Sequence, residues 1–580
     1  MGRSGRSGSS AACRGARLCG VAAAVGLCLW LTGPAGAIVS SGQGLDINSF
    51  IGADRFYDAG YTGSLSVIAN IEGGHIWNLH ETLTHVSTFL HSPIAGGPDV
   101  GEFDTHTTRV GQVLGGRGGE DYQMGIAPDA DLWSGAIATE YPSAPSNPSF
   151  NYSLESLLYP YETAMRDGVG GRTADVVNSS WGLNSQLNTS GWEYVTAVID
   201  TLAWENGSTV VIAAGNKGPV ANSVIAPATG HNVITVGALG DGSGTPPYQS
   251  VAAFSGRGPA DYRDGSNGQI IANARAVVDI VAPGHALTLA KYGGTTGSNS
   301  GGSDPTGGAT DQYYTYQNGT SFAAPLVAGG AALLTDVGYD LYGGAEAIDG
   351  RVIKSVLLNS AAKPAGWNNG QTLEGGVITT TQALDYAMGA GALDLDRAFD
   401  QYTAGTADLP GLAAGGADVA AIGWDYGQVV NGLSSDYYIA DELIGQTAMN
   451  VTLSWFMQRT YFDTDMNSFF DVAFDDLNVE VWQTVGHTPT TLVAESATLY
   501  NTTEHLSFHL PADGYYMVRV VWAGEHFDVL GVADEDLYGL AWSATAMPLP
   551  GDMNGDGVTN LLDINPFVLA ITDPLLYEQS

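Results

Sequence analysis

Cysteine is nearly absent from this chain of 580 residues. The three cysteines, Cys13, Cys19 and Cys28, all fall within the first 37 residues. If export removes that segment, the remaining chain has no thiol, which excludes disulfide bonds, thiol catalysis and thiolate metal sites. Any catalysis or metal binding must then rely on oxygen and nitrogen groups.

Basic residues are also scarce, with 20 lysines and arginines against 60 acidic residues and a formal net charge of −40. Such a balance disfavours nucleic acid and anionic membranes as partners, because an acidic surface is repelled by both. Charged residues make up only 14% of the chain and glycine is abundant, at 79 residues, as in a loop-rich globular protein. No function follows from the charge.

The N-terminal segment has the pattern of an export signal. Several arginines precede an apolar core over residues 18–31, and Ala35-Gly36-Ala37 offers a small-residue cleavage site. This order is typical of a secretory signal peptide, here residues 1–37. The core is too short to span a bilayer comfortably. We therefore expect a secreted protein with no stable membrane insertion.

A hydroxyl lies at the transition from a glycine-containing loop to an apolar segment. Residues 318–325 read Asn-Gly-Thr-Ser-Phe-Ala-Ala-Pro, and apolar or glycine residues continue to Leu334 without a polar face. This pattern predicts a helix buried on all sides. Its dipole would favour negative charge developing near Ser321. Gly329 and Gly330 each cost a helix roughly 1 kcal/mol, which predicts that another backbone packs closely there.

Three other segments accompany this one in the chain. Residues 66–72 have the pattern of a buried strand ending at Glu72, and residues 209–216 that of a second strand ending at Gly215 and Asn216. Residues 104–111, which contain His106, read Asp-Thr-His-Thr-Thr-Arg-Val-Gly. Together with residues 318–325, these segments resemble the motifs of the subtilisin-like serine proteases. The resemblance covers about residues 48–402 and implies an α/β fold, a parallel sheet with helices on both faces.

The resemblance implies a role for each of four side chains. Ser321 would be the nucleophile, His106 the general base and Glu72 the acid that orients the imidazole. Asn216 would donate a hydrogen bond to the tetrahedral oxyanion. The implied function is a secreted serine endopeptidase acting on proteins or peptides, with no cofactor required for the chemistry.

The sequence also departs from the family pattern. The family has aspartate where this chain has Glu72, and Thr107 and Arg109 replace a glycine and a second histidine of the family motif. Asp104 is a rival for the role of the acid. A second hypothesis therefore stays open, in which a protease-like protein has lost turnover and only binds.

The resemblance extends to the binding of substrate. Residues 176–182 resemble the strand and loop along which the family pairs with an extended peptide, which adds itself to a sheet edge through main-chain hydrogen bonds. The predicted substrate-binding residues are Ser180, Trp181, Gly182 and Gly215. Lys217, next to Asn216, is a weaker candidate that would favour an acidic substrate side chain.

Three histidines follow Glu72, at positions 75, 80 and 85. Their spacing fits neither one helix face nor a known zinc pattern. We interpret His75, His80 and His85 as ordinary loop residues rather than metal ligands.

The export signal, the family resemblance and shifts in composition divide the chain into five predicted parts: a signal peptide (1–37), a catalytic domain (38–402), a linker (403–422), an antiparallel β-sandwich (423–547) and a tail (548–580). Residues 347–362 are predicted to form an amphipathic helix. Alternating apolar strands separated by polar turns favour the sandwich, which resembles accessory domains of secreted bacterial proteases. Three roles stay open for the sandwich: substrate binding, contact with a surface or polysaccharide, and stabilisation alone. A further hypothesis is that the whole protein serves in cell-surface adhesion.

The tail carries a sequence typical of a calcium loop. Residues 552–563 have oxygen ligands at loop positions one, three, five, nine and twelve and glycine at six, as an EF-hand-type loop requires. The predicted Ca²⁺ ligands are Asp552, Asn554, Asp556, Val558, Asn560 and Asp563. The segment resembles a dockerin repeat, but only one loop is present where a dockerin has two.

Overall fold

The computed structural model describes residues 38–40, 44–118, 123–142, 149–183, 190–240, 244, 246–292, 313–344, 346–407, 416–531 and 535–545. The predicted signal peptide and calcium loop lie outside the described residues, and the predicted linker lies partly outside them. The helices are α1 (Ile47–Phe50), α2 (Asp54–Ala59), α3 (Thr105–Gly115), α4 (Leu154–Glu162), α5 (Tyr194–Asn206), α6 (Thr320–Leu341), α7 (Gly350–Ser360) and α8 (Leu395–Thr403), with a π-helical turn, Thr163–Asp167, after α4.

The strands divide into two groups along the chain. Those before residue 403 are β1 (Val39–Ser40), β2 (Val67–Glu72), β3 (Thr88–Leu90), β4 (Asp131–Ala136), β5 (Val176–Ser179), β6 (Thr209–Ala213), β7 (Ile234–Leu239), β8 (Ala260–Arg263), β9 (Ile270–Arg275), β10 (Ile280–Pro283), β11 (Leu287–Ala290), β12 (Tyr313–Gln317), β13 (Thr372–Glu374) and β14 (Val377–Thr379). Those that follow are β15 (Ala417–Val419), β16 (Ile422–Val430), β17 (Ser434–Ile439), β18 (Ala448–Trp455), β19 (Gln458–Tyr461), β20 (Phe469–Val485), β21 (Thr488–Ser496), β22 (Thr503–His509), β23 (Tyr515–Asp528) and β24 (Glu535–Thr545).

Seven of these strands form a parallel sheet in the order β10-β7-β6-β5-β2-β4-β3. Every residue of β2 and of β6 is buried. Because successive side chains of a strand point to opposite faces, both faces of the sheet are covered. Helices α3 and α6 pack against each other and on the sheet, and α4 and α5 form a second pair. The predicted α/β architecture is confirmed for this part of the chain.

Helix α6 crosses the core of this part. Residues 320–338 are all buried, as the apolar pattern predicts. Among the described residues it is the one helix long and apolar enough to span a membrane, but its apolar window lies wholly inside the protein. The prediction of a close backbone neighbour is wrong. A Cβ on Gly329 would lie 2.5 Å from Cβ of Ile126, and one on Gly330 would lie 2.6 Å from Cδ2 of Leu395, so the neighbours are side chains.

Residues 416–545 are named the C-terminal sheet region. Their strands lie in two sheets. One has the order β16-β24-β18-β22 and the other β13-β14-β21-β20-β23-β17-β15, with β19 paired to β20. Their pairings are antiparallel except for β14 with β21 and β15 with β17. The hairpin β13–β14 precedes residue 403, so the second sheet draws strands from both sides of the predicted domain boundary.

Helix α7 lies where the C-terminal sheet region meets the parallel-sheet part. All of its residues are buried, including the polar face that the sequence predicts for this helix. The Ser355 hydroxyl donates to the carbonyl of Gly539 at 2.8 Å, and the Asn359 amide donates to the hydroxyl of Ser543 at 3.3 Å. Both partners lie on β24, so the polar face is turned towards hydrogen-bond partners in the C-terminal sheet region rather than water.

Candidate active site

Three neighbouring strands of the parallel sheet end at one edge. Glu72 is the last residue of β2, Ser180 follows β5, and Asn216 comes shortly after β6. Ligands of open α/β sheets bind at this carboxyl edge. Helix α3 brings His106 to the same edge and α6 brings Ser321. These five residues line one cleft of about 320 Å³.

Glu72 and His106 form the central contact of the cleft. Glu72 is 1% exposed, its Oε2 lies 3.2 Å from Nδ1 of His106, and its Oε1 accepts a 2.6 Å hydrogen bond from the N–H of Ser180. Burial raises the pKa of Glu72, although the contacts to His106 and Ser180 oppose the rise. Burial alone would lower the pKa of His106, but the hydrogen bond and charge of Glu72 outweigh it and the net shift is upward. The carboxylate therefore favours the proton on Nδ1, which leaves Nε2 as the basic nitrogen.

Asp104 occupies a different position. It is the N-cap of α3, and its carboxylate accepts hydrogen bonds from the backbone N–H groups of His106 and Thr107 at 3.2 and 3.3 Å. Such a cap stabilises the start of the helix that carries the imidazole. Of the two candidate acids, Glu72 is the one whose carboxylate contacts the imidazole.

Ser321 is the second residue of α6, after Gly319 with a φ of 157°. Its hydroxyl donates to the carbonyl of Ser180 at 3.2 Å. Among the described residues, no hydrogen bond joins Ser321 to His106 in this conformation. Rotation about χ1 redirects a serine hydroxyl between staggered positions, and catalytic hydrogen bonds often form only once substrate is bound. The cleft holds both side chains, with the hydroxyl turned towards Ser180.

Thr320 determines how the amide of Asn216 is oriented. Oδ1 of Asn216 accepts the Thr320 N–H at 2.9 Å and its hydroxyl at 3.1 Å, and Oγ1 of Thr320 accepts the N–H of Gly215 at 3.1 Å. A backbone N–H can only donate, so the amide oxygen must face Thr320 and Nδ2 remains as the donor. Sequence reasoning did not single out Thr320, although its place beside Ser321 was a signal.

Comparison with known proteins gives the family. The model of the subtilase family matches residues 91–391, just over half of the chain. The chain belongs to the subtilase family. The matched range includes His106, Asn216 and Ser321, whereas Glu72 precedes it.

Individual subtilase relatives match over shorter ranges. The serine protease AprX of Bacillus subtilis (strain 168) is 34% identical over 140 residues, which are 24% of this chain and 28% of AprX. The minor extracellular protease Vpr of the same organism is 28% identical over 203 residues, 33% of this chain and 23% of Vpr. Subtilisin of Bacillus sp. (strain TA39) is 28% identical over 228 residues, 39% of this chain and 45% of that subtilisin. The chain thus spans less than half the length of each of these relatives.

The predicted peptide-binding segment of this subtilase lies beside Ser321. Trp181 is 8% exposed and its indole N–H donates to the hydroxyl of Tyr161 at 3.3 Å, so much of the ring belongs to the core. Neither backbone group of Gly182 is hydrogen-bonded to another described residue. Gly215 has a φ of 91°, which favours glycine. With respect to the other described residues, the main-chain groups of Gly182 have no partner, as an added peptide strand requires.

The histidines after the acid are separate from the cleft of the subtilase. Nε2 of His75 lies 2.9 Å from Nδ1 of His91, and burial lowers the pKa of His75 to about 3. Burial also lowers the pKa of His85 to about 4. In the part of the chain that the structure describes, no group of three or more His, Cys, Asp or Glu is arranged to hold a metal ion.

Proposed function

We propose that this subtilase is a secreted serine endopeptidase that hydrolyses peptide bonds in proteins or peptides through an acyl-enzyme on Ser321. The observation that carries the proposal is the contact of 3.2 Å between Glu72 and His106 in the cleft that Ser321 also lines. An acid, an imidazole and a hydroxyl gathered in one cleft can activate a serine for attack on an amide. Membership of the subtilase family supports the same reaction class.

His106 would act as the general base. When the hydroxyl of Ser321 turns away from the carbonyl of Ser180, it can donate to Nε2 of His106, and a substrate N–H can take its place at that carbonyl. Peptide binding and serine activation would then occur together. The serine oxygen attacks the substrate carbonyl carbon while its proton passes to Nε2, and His106 returns that proton to the leaving amine. Water then hydrolyses the acyl-enzyme with His106 again as the base.

Glu72 would stabilise the imidazolium that forms during both steps. Its carboxylate is almost fully buried, so its attraction to the cation is stronger than it would be in water. The N–H of Ser180 holds the second carboxylate oxygen at 2.6 Å, which keeps the group facing His106. These contacts support glutamate in the position where the family has aspartate.

The oxyanion would form between two donors, Nδ2 of Asn216 and the backbone N–H of Ser321. Thr320 already binds the amide oxygen of Asn216, so the donor end needs no reorganisation during the reaction. Loss of one such donor costs about 10²- to 10³-fold in kcat, a magnitude measured in subtilisin itself.

Labelling with a fluorophosphonate tests the proposal, because this reagent reacts with activated serines. We expect label at Ser321 and hydrolysis of an unfolded protein substrate, and we expect Ser321→Ala to abolish both. Ser266→Ala removes an exposed serine in the turn between β8 and β9 and should leave both unchanged. A folded chain that takes up no label and cleaves nothing would overturn the proposal and favour the protein that only binds.

The proposal includes two features outside the described residues, export directed by residues 1–37 and Ca²⁺ binding by residues 552–563. Neither takes part in the chemistry. The relative Vpr is named as extracellular, which supports export. We assign a stabilising role to the C-terminal sheet region, because it covers the polar face of α7, and we propose no contact of it with a surface or polysaccharide.

A further inference from the structure

Ile225 lies between two glycines of the candidate peptide-binding site. A Cβ on Gly182 would lie 2.5 Å from Cδ1 of Ile225, and a Cβ on Gly215 would lie 2.7 Å from Cγ1 of the same side chain. Both distances are shorter than carbon contacts allow, so the isoleucine packs directly on both glycine backbones. The slot between these two backbone segments is therefore filled by one apolar side chain.

Hydrogen bonds hold Ile225 in this position from both sides. Its own N–H donates to the carbonyl of Ala214 at 3.3 Å, and the N–H of Leu183 donates to the carbonyl of Ala226 at 2.8 Å. Ile225 keeps partial exposure, while Ala226 is buried. The anchored backbone fixes the place of a partly exposed side chain between the two glycines.

A bound peptide would direct one side chain into this slot. Its reacting carbonyl must lie between Nδ2 of Asn216 and the start of α6, and its strand must follow residues 180–182. The residue that supplies the carbonyl then lies between Gly182 and Gly215. In the described part of the chain, Gly182 lines the cleft but Gly215 and Ile225 do not, as expected if the isoleucine closes that end.

We propose that Ile225 determines the specificity of this subtilase by restricting the residue on the acyl side of the cleaved bond to glycine or alanine. The inference rests on the proposed function, since it assigns a substrate class to the same site. Apolar and backbone atoms form the slot, so a carboxylate there would lose its hydration without gaining a partner. The structure thus favours small side chains over the acidic ones that Lys217 would attract, and Lys217 itself is exposed.

Peptides that differ only in the acyl-side residue test this proposal, with alanine, phenylalanine and glutamate compared at that position. We expect wild-type kcat/KM to favour alanine over phenylalanine by at least about 10-fold, the scale on which a pocket discriminates by size. Ile225→Ala should raise the ratio of kcat/KM for the phenylalanine peptide to kcat/KM for the alanine peptide by at least about 10-fold. Val220→Ala, which alters an exposed apolar residue of the same loop, should leave the ratio unchanged.

Labelling by the fluorophosphonate separates failure of this inference from failure of the proposed function. If the wild type is labelled and prefers phenylalanine or glutamate, Ile225 does not restrict the slot. An unchanged ratio in labelled Ile225→Ala has the same meaning. If Ile225→Ala does not fold, Ile225→Val should still shift the ratio in the same direction, and an unshifted ratio in that variant overturns the inference. Absence of both label and cleavage in the wild type overturns the proposed function and the inference with it.

Discussion

Replacing Arg459 with methionine should destabilise the whole chain, because this side chain carries a buried charge where the C-terminal sheet region meets the parallel-sheet part. Arg459 is on β19 and its side chain is 2% exposed. Its Nη1 lies 2.9 Å from Oδ2 of Asp200 on α5, and its Nε lies 2.7 Å from Oδ1 of Asp471 on β20. Methionine fills a similar volume but leaves both carboxylates buried without this cation.

The expected cost follows from the partners that remain. Removing one member of a buried ion pair costs about 3–5 kcal/mol, because an uncompensated charge stays in the interior. Asp200 keeps hydrogen bonds from the N–H groups of His231 and Asn232 at 3.0–3.1 Å, so we expect the lower end, about 3 kcal/mol. Burial already raises the pKa of Asp471, and Arg459 opposes that rise. Without the arginine the pKa of Asp471 in the folded state rises further above that in the unfolded state, so the destabilisation should grow as pH rises above the usual pKa of an aspartate.

Urea unfolding followed by tryptophan fluorescence measures this effect. The Ser321→Ala background prevents self-cleavage during the measurement. Arg55→Met is the matched control, because Arg55 and Asp400 form an ion pair of 2.9 Å whose side chains are both 51% exposed, and such pairs contribute less than about 1 kcal/mol. If Arg459→Met unfolds at the same urea concentration as Arg55→Met, the buried ions do not hold the two parts together.

Four other substitutions test the site, the core and the tail. Glu72→Gln should lower kcat by about 10²- to 10⁴-fold and move the acidic limb of the kcat/KM profile to lower pH, because the carboxylate no longer raises the pKa of His106. Glu72→Asp should keep part of the rate, and an unaltered profile in the glutamine variant would contradict the pairing. Gly329→Ala should lower the melting temperature although alanine favours helices, since its Cβ would lie 2.5 Å from Cβ of Ile126; a higher melting temperature would show that the helix can move aside. Asp552→Ala should abolish Ca²⁺ binding to the full chain in calorimetry, and binding equal to wild type would exclude the predicted loop.

The parallel sheet could be predicted because its signals are local. Mainly apolar runs with little alternation, such as residues 66–71 and 209–214, are buried on both faces, and each run ends in the polar or glycine residues that reach the carboxyl edge. The apolar run after Ser321 likewise carries the burial of α6 in its composition. Local pattern is enough in these places because each segment has the same environment on every side.

Local pattern was not enough where two parts of the chain meet. The polar residues of α7, among them Ser355 and Asn359, indicate a solvent-facing side, yet β24 and β18 cover it and supply hydrogen-bond partners. A polar face has the same composition whether its partner is water or a distant strand. The hairpin β13–β14 shows the same limit, since its pairing with β21 joins residues more than a hundred positions apart.

Within the candidate site, the sequence alone determined which residue types are present and in what order: a carboxylate, an imidazole, an amide and a hydroxyl, each at the end or start of a regular element. Only the tertiary structure decided which groups touch. It puts the carboxylate of Glu72 rather than that of Asp104 against His106, turns the amide of Asn216 through Thr320, and inserts Ile225 between two glycines. The physical reason is that such contacts depend on distances of a few ångströms between residues far apart in the chain, which no local pattern contains.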